Sequence, residues 1–294
     1  MTGIICVNKP QEFTSFDVVA SMRRCFGTKK IGHGGTLDPM ATGVLPVFIG
    51  GATKAADLVP DDCKSYRAGF RLGFVSDTQD IWGKLRSRCE NGVSEAEVQF
   101  VLEDFRGDIM QIPPMYSALK VNGQKLCDLA RRGIEVERKP RPATISRLEL
   151  VSFDGTDGVI DVDCSGGTYI RTLINDIGES LCTGAVMTSL CRTRSCGFTL
   201  ADCHDLEEIR SADREQLESW LLPVENVFAP LPEIPLDEVQ QRMYLNGVRL
   251  DADRLIQRTE TDALSRVTFG GKFLGVGRIN SEGELVPVKQ FRNE

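Results

Sequence analysis

IGHGGTLDPMATGVLPVFIGGATK, residues 31–54, places one carboxylate, Asp38, between a glycine-rich turn and an apolar run. Gly34 and Gly35 before it and Gly43 after it mark tight backbone that something approaches closely. Pro39 disfavours the helical conformation at Asp38 and favours an extended one, so the side chain is expected at a bend. Val44-Leu45-Pro46-Val47-Phe48-Ile49 reads as a buried strand. A carboxylate beside such a strand is a candidate catalytic group, because its surroundings can tune it. A plain Asp-Pro turn is the competing reading, and the residues alone do not choose. Neither GxxxxGK[ST] nor GxGxxG occurs, which argues against a nucleotide cofactor.

The 294 residues suit one large and one small domain, with enough chain to bury a core. No apolar run approaches the ~18 residues of a membrane span, and MTGIICVNKP has no basic region or cleavage site of an export signal. Ten scattered cysteines, none in CxxC, then read as free thiols of a cytoplasmic protein. Cys191, Cys196, Cys203 and His204 come nearest to a metal cluster, but their spacing fits no standard zinc pattern, and no metal is expected.

The net charge of −7 is unevenly spread. Residues 201–240 hold eleven acids against two arginines, so the rest of the chain is slightly basic. Residues 120–147 hold eight bases against three acids. Such a local patch can bind a polyanion on an acidic protein, though a solvated charged face is equally compatible with it.

Along the chain, residues 3–8 read as a buried strand, and Thr14-Ser15 cap a helix running to about Phe26. Residues 64–73 alternate, with Tyr66, Ala68, Phe70 and Leu72 on one face. Ser94 and Glu97 form a capping box that opens a helix to about Phe105. A short helix over Lys125–Arg132 ends at Gly133. Two β segments, about 143–153 and 158–164, precede Gly-Gly-Thr168, the expected entry to a helix reaching Leu181. Arg171 falls in its first turn, where the helix dipole disfavours a cation unless an anion sits opposite. The acidic stretch 201–222 carries a helix, and Pro223, Pro230, Pro232 and Pro235 mark a linker. Strands near 264–279 and 283–289 follow.

Residues 32–54 resemble the signature of TruB-type tRNA pseudouridine synthases, close to GHxGxLDPxATGxLPxxxGxATK, over more than twenty consecutive positions. Further matches are the KxYxxxxxLG strand from Lys64, the turn SDTQDIWG at 76–83, Gln111–Lys120, and the GxYIRxL segment that holds Tyr169 and Arg171. The resemblance implies an α+β fold: a mixed, largely antiparallel sheet flanked by helices over residues 1–229, and a small β-rich PUA-like domain over 230–294. It makes residues 111–142 an RNA-clamping thumb.

The same resemblance implies isomerisation of the T-loop uridine of tRNA, position 55, to pseudouridine by base flipping, with no cofactor and no metal. Asp38 is then the catalytic residue. His33, Tyr66, Tyr169, Arg171 and Leu190 support the site and bind the base, with Tyr66 stacked on it and Arg171 a bidentate partner of Asp38. Lys9, Lys54, Lys64, Lys120, Lys125, Arg131, Arg132 and Arg141 are the expected RNA contacts, Lys9 with Pro10 also supporting the active-site loop. A monomer acting on the T-arm is expected. A guide-RNA-dependent synthase and a non-catalytic tRNA-folding protein are the alternatives. Whether a sugar adduct, a base adduct or an elimination intermediate forms stays open.

Overall fold

The computed structural model describes residues 1–60, 63–89 and 92–291. A ten-stranded sheet forms the larger part. Its main path runs 203–205, 3–9, 42–49, 185–195, 64–72, 157–164, 141–153, 107–111, with 31–33 beside 42–49 and 198–199 beside 185–195. Pairings are antiparallel except 3–9 with 203–205 and 42–49 with 185–195. The sheet is thus mixed and largely antiparallel.

The central strands read as continuous apolar runs because both faces are covered. Along Gly3–Lys9, Ile5 and Val7 enter the core shared with helices Ser15–Cys25 and Ile170–Ser180, while Ile4 and Cys6 enter a second core on the other face. Helix Ser15–Cys25 starts with a capping box in which Thr14 and Asp17 satisfy each other's backbone N–H groups. Ser94 and Glu97 do the same for helix Glu95–Asp104.

The insertion between strands Gly107–Gln111 and Arg141–Phe153 holds a hairpin, Lys120–Val121 with Gln124–Lys125, and helix Leu126–Arg131. Two expectations need correction nearby. The acidic stretch forms two short helices, Leu206–Ser211 and Arg214–Ser219, because Asp213 caps a new helix. The proline-rich segment is no loose linker: Val227 and Phe228 are buried in the second core, and Phe228 packs on Phe273 and Phe291 at ring-centroid distances of 5.6 and 5.7 Å. Burying such side chains is worth roughly 1.5–3 kcal/mol each, which fastens this segment to the sheet.

The C-terminal part is a five-stranded sheet in the order 233–235, 265–269, 272–279, 284–290, 250–251, with helix Glu238–Leu245 and its own core around Tyr244, Val267 and Leu285. Val276, Phe273 and Phe291 also reach the second core, so the two parts share apolar packing. Residues 292–294, the end of the expected C-terminal domain, lie outside the described residues. No helix among the described residues is long and apolar enough to cross a membrane.

Candidate active site

Asp38 lies on the loop joining strands Ile31–His33 and Thr42–Ile49. The loop is tied at several points. The Ser15 hydroxyl, at the start of helix Ser15–Cys25, accepts from the Leu37 N–H at 2.8 Å and donates to the Leu37 carbonyl at 3.2 Å. Glu12 N–H donates to the Pro39 carbonyl at 2.8 Å, and Ala41 N–H closes a turn on the Asp38 carbonyl at 3.0 Å. Gly43 has φ +101°, and a Cβ there would collide with the Arg192 carbonyl, so only glycine lets the two strands meet.

Lys9 is fully buried, and its Nζ donates to the carbonyls of Pro10 (2.9 Å), Phe13 (2.6 Å) and Pro39 (3.4 Å). It is therefore not an RNA contact: strand Gly3–Lys9 ends inside the protein, and the ammonium is held beneath the loop that carries Asp38. Burial lowers its pKa to about 8, with Asp38 pulling it back up.

Arg171, in the first turn of helix Ile170–Ser180, meets Asp38. Its Nη2 is 2.9 Å from Asp38 Oδ2 and donates to the Tyr116 carbonyl at 2.9 Å. Its Nη1 donates to the Thr78 carbonyl at 3.1 Å and faces Asp80 Oδ2 at 3.7 Å. The expected bidentate pair is thus corrected: one nitrogen serves Asp38, and the other is turned toward Asp80. The Arg171 side chain is 6% exposed and that of Asp38 38%, so the carboxylate is reachable while its partner is sealed.

Helix Ile170–Ser180 has no side-chain cap of its own, and Gly-Gly-Thr168 forms a turn ahead of it. Buried Gln111 supplies the contact instead. Its Oε1 accepts from Tyr169 N–H at 3.0 Å, and its Nε2 donates to the Tyr169 carbonyl at 3.2 Å. The start of the helix, and so the Arg171 guanidinium, is held by the root of the thumb.

Asp38 opens onto a cavity of about 350 Å³. Tyr66, Tyr169, Arg171, Leu190 and Arg192 line it, with Lys64, Ser117 and Leu119 also on its wall. Burial pushes the Tyr66 hydroxyl up to about 12, against the pull of Arg192, so the phenol stays protonated at neutral pH. Burial raises Tyr169 as well. His33, at the end of strand Ile31–His33, is not on the cavity wall; burial and Arg192 lower its pKa, which keeps the imidazole neutral at pH 7.

The other expected RNA contacts divide by position. Lys120, Lys125, Arg131 and Arg132 are exposed on the thumb, and Arg131 faces Asp128 at 3.5 Å. Arg141 is exposed where the thumb returns to the sheet, opposite Gln111. Lys54 is in a separate groove with Arg249 and Lys289 of the C-terminal part.

Sequence reasoning gave no site role to Asp80, Gln111 or Arg192. Asp80 stands in the quoted SDTQDIWG turn and Arg192 two residues after Leu190, so both lay in marked segments. Gln111 opens the matched Gln111–Lys120 segment, but nothing local tells that its amide is buried against the Tyr169 backbone. Among the described residues, no group of three or more His, Cys, Asp or Glu side chains is placed to hold a metal ion. His204 instead stacks on Trp220, at a centroid distance of 4.2 Å.

Comparison with solved structures gives the class first. The fold matches the structure titled "Crystal Structure of a Cbf5-Nop10-Gar1 Complex" with a TM-score of 0.79 and 25% identity, over 99% of this chain and 85% of that one. Over that mixed sheet Asp38 faces a tyrosine-walled cavity, and the family matches of the chain make this a pseudouridine synthase. Residues 23–170 match the TruB family pseudouridylate synthase N-terminal domain, 171–229 the tRNA pseudouridylate synthase B C-terminal domain, and 232–289 the pseudouridine synthase II TruB C-terminal domain. A tRNA pseudouridine synthase B of Clostridium tetani is 42% identical over 96% of this chain and 97% of its own length. That of Clostridium kluyveri is 40% identical over 99% and 100%. The chain belongs to the TruB family of tRNA pseudouridine synthases, isomerases that convert uridine in tRNA to pseudouridine.

Proposed function

We propose that this chain isomerises the T-loop uridine of tRNA, as a stand-alone monomer in the cytoplasm, with Asp38 as the catalytic residue. The observation that carries the reading is the Asp38–Arg171 pair on a cavity walled by Tyr66 and Leu190. Arg171 holds the carboxylate aimed at the cavity, because its own surroundings fix it. The target base leaves its stack at a cost of roughly a few kcal/mol, offset by stacking on Tyr66 and by phosphate contacts of the thumb. The C1′–N1 bond breaks, the uracil turns, and C5 bonds to C1′. The C5 proton is then lost and N1 gains one, so the net change is isomerisation. Tyr66, protonated at neutral pH, is placed for hydrogen bonding and for relaying that proton through its hydroxyl.

Full-length relatives at about 40% identity that carry the tRNA synthase name support the stand-alone reading over the guide-RNA alternative. Ten free cysteines suit a reducing cytoplasm. Division at residues 229 and 230 agrees with the second sheet starting at Glu233. A tRNA-folding role can coexist, since the thumb charges need no catalysis to hold RNA.

The test is pseudouridine formation in a T-arm stem-loop RNA by wild type and Asp38→Asn. Conversion by wild type alone, with RNA binding kept by both, is expected. Binding without conversion by wild type overturns the reading.

A further inference from the structure

Arg192 has no part in the chemistry so far, yet it is a fully buried cation on the wall of the cavity. Its Nε donates to the Val44 carbonyl at 2.8 Å, Nη2 to the Gly35 carbonyl at 3.2 Å, and Nη1 reaches the Thr36 carbonyl at 3.5 Å. These carbonyls flank the two ends of the loop that carries Asp38. Among the described residues no carboxylate lies within ion-pair distance of it. Arg171, by contrast, is shared between Asp38 and Asp80. Lys9 and the two arginines against the two aspartates leave one positive charge in excess at the floor of the site.

A buried charge without a counter-ion is costly, and carbonyl dipoles repay only part of that cost. An excess cation of this kind suits an anion that forms transiently in the cavity. Cleaving the C1′–N1 bond makes one. Its electron pair leaves with the base, where the negative charge is shared between N1 and O2 of uracil. This holds whether Asp38 attacks the sugar, adds to the base or removes a sugar proton. The charge comes from Asp38, which is neutralised while the base carries it and is a carboxylate again by the end of the reaction, so a fixed cation that bonds Tyr66, on the base side of the cavity, favours the intermediate over both ends.

We propose that Arg192 stabilises the departing uracil anion, acting through its charge from beneath the Asp38 loop. The inference rests on the proposed isomerisation of a flipped uridine. Arg192 is a positioning and electrostatic residue here, because its donors are taken by backbone carbonyls and by the Tyr66 hydroxyl.

The test is a leaving-group comparison. Single-turnover rates of C1′–N1 cleavage are measured on a T-arm RNA with uridine or with 5-fluorouridine at the target. Fluorine makes the departing base more acidic, so its anion needs less help. Arg192→Met is expected to lose about 10²-fold on uridine and at least tenfold less than that on 5-fluorouridine, with RNA affinity unchanged. Arg192→Lys, which keeps the charge and loses the fork, is expected to show the leaving-group dependence of wild type. Should Arg192→Met not fold, Arg192→Gln supplies the neutral arm. Equal losses on the two RNAs, or a Lys variant that behaves like the neutral one, overturn the inference and leave Arg192 a loop support. A wild type that converts neither RNA brings down the proposed function itself.

Discussion

Arg171 Nη2 lies 2.9 Å from Asp38 Oδ2, and the same guanidinium faces Asp80 at 3.7 Å, so one arginine serves two carboxylates. Asp80 Oδ1 is itself fixed, accepting from the Thr78 hydroxyl at 2.7 Å and from Trp82 N–H at 3.0 Å. Arg171→Ala is expected to lower kcat by about 10²–10³-fold while the Kd for T-arm RNA changes no more than a few fold. Asp80→Asn keeps the hydrogen-bonding shape but removes a charge, and is expected to fall between wild type and Arg171→Ala. Single-turnover rates and filter binding on the same RNA check both. Equal losses in rate and affinity would place Arg171 on the RNA instead.

Lys9 sets a pH dependence of stability. Its folded pKa of about 8 lies below the ordinary 10.5. Between these values the unfolded chain holds a proton that the folded chain has released, so stability rises with pH across that window. Thermal unfolding of wild type and Lys9→Met from pH 7 to 10 is expected to show wild type gaining on the order of 2 kcal/mol relative to the variant. A constant difference would mean that the ammonium stays charged in the folded protein.

Gly43→Ala tests the close approach beneath the loop. The new Cβ meets the Arg192 backbone and the residue must hold φ +101°, so a loss well above the 1–3 kcal/mol of strain alone is expected. Gly133→Ala is the control. Its φ is +72° and nothing lies within 4 Å of the added carbon, so it meets only the strain, about 1–2 kcal/mol. Urea denaturation of both variants gives the comparison.

The thumb predicts a salt dependence. Lys120, Lys125, Arg131 and Arg132 are exposed on one short insertion. RNA affinity is expected to fall with rising salt, and the slope of log K against log salt to drop by roughly one unit for each cation that contacts a phosphate and is removed. The Arg131→Gln, Arg132→Gln double variant, titrated from 50 to 200 mM salt, tests this. An unchanged slope would take the thumb helix off the RNA.

Much of the site was legible because its residues sit in short segments whose chemistry is local. A glycine turn and a proline give Asp38 its place, and alternation puts Tyr66 on the inner face of strand Lys64–Leu72, while the family resemblance alone gave either a site role. The first-turn position of Arg171 called for an anion, and two carboxylates are there. Lys9 misled as an RNA contact only, since its Nζ is enclosed by the carbonyls of Pro10, Phe13 and Pro39, in line with its other expected part as a support of the loop. The proline-rich segment misled in the same way, since its prolines suggested a tether while Phe228 was bound for a core.

What the sequence by itself determined is most of the helices, strands such as Gly3–Lys9 and Lys64–Leu72, and the place of Asp38 between turn and strand. These follow from periodicity, caps and the fixed φ of proline, which act over a few residues. Only the tertiary structure decided that Arg171 divides itself between Asp38 and Asp80, that Gln111 holds the helix carrying it, and that Arg192 is buried under the loop with no carboxylate of the described residues in ion-pair distance. Each of these joins segments far apart in the chain, where distance and burial arise from packing and no local pattern encodes them.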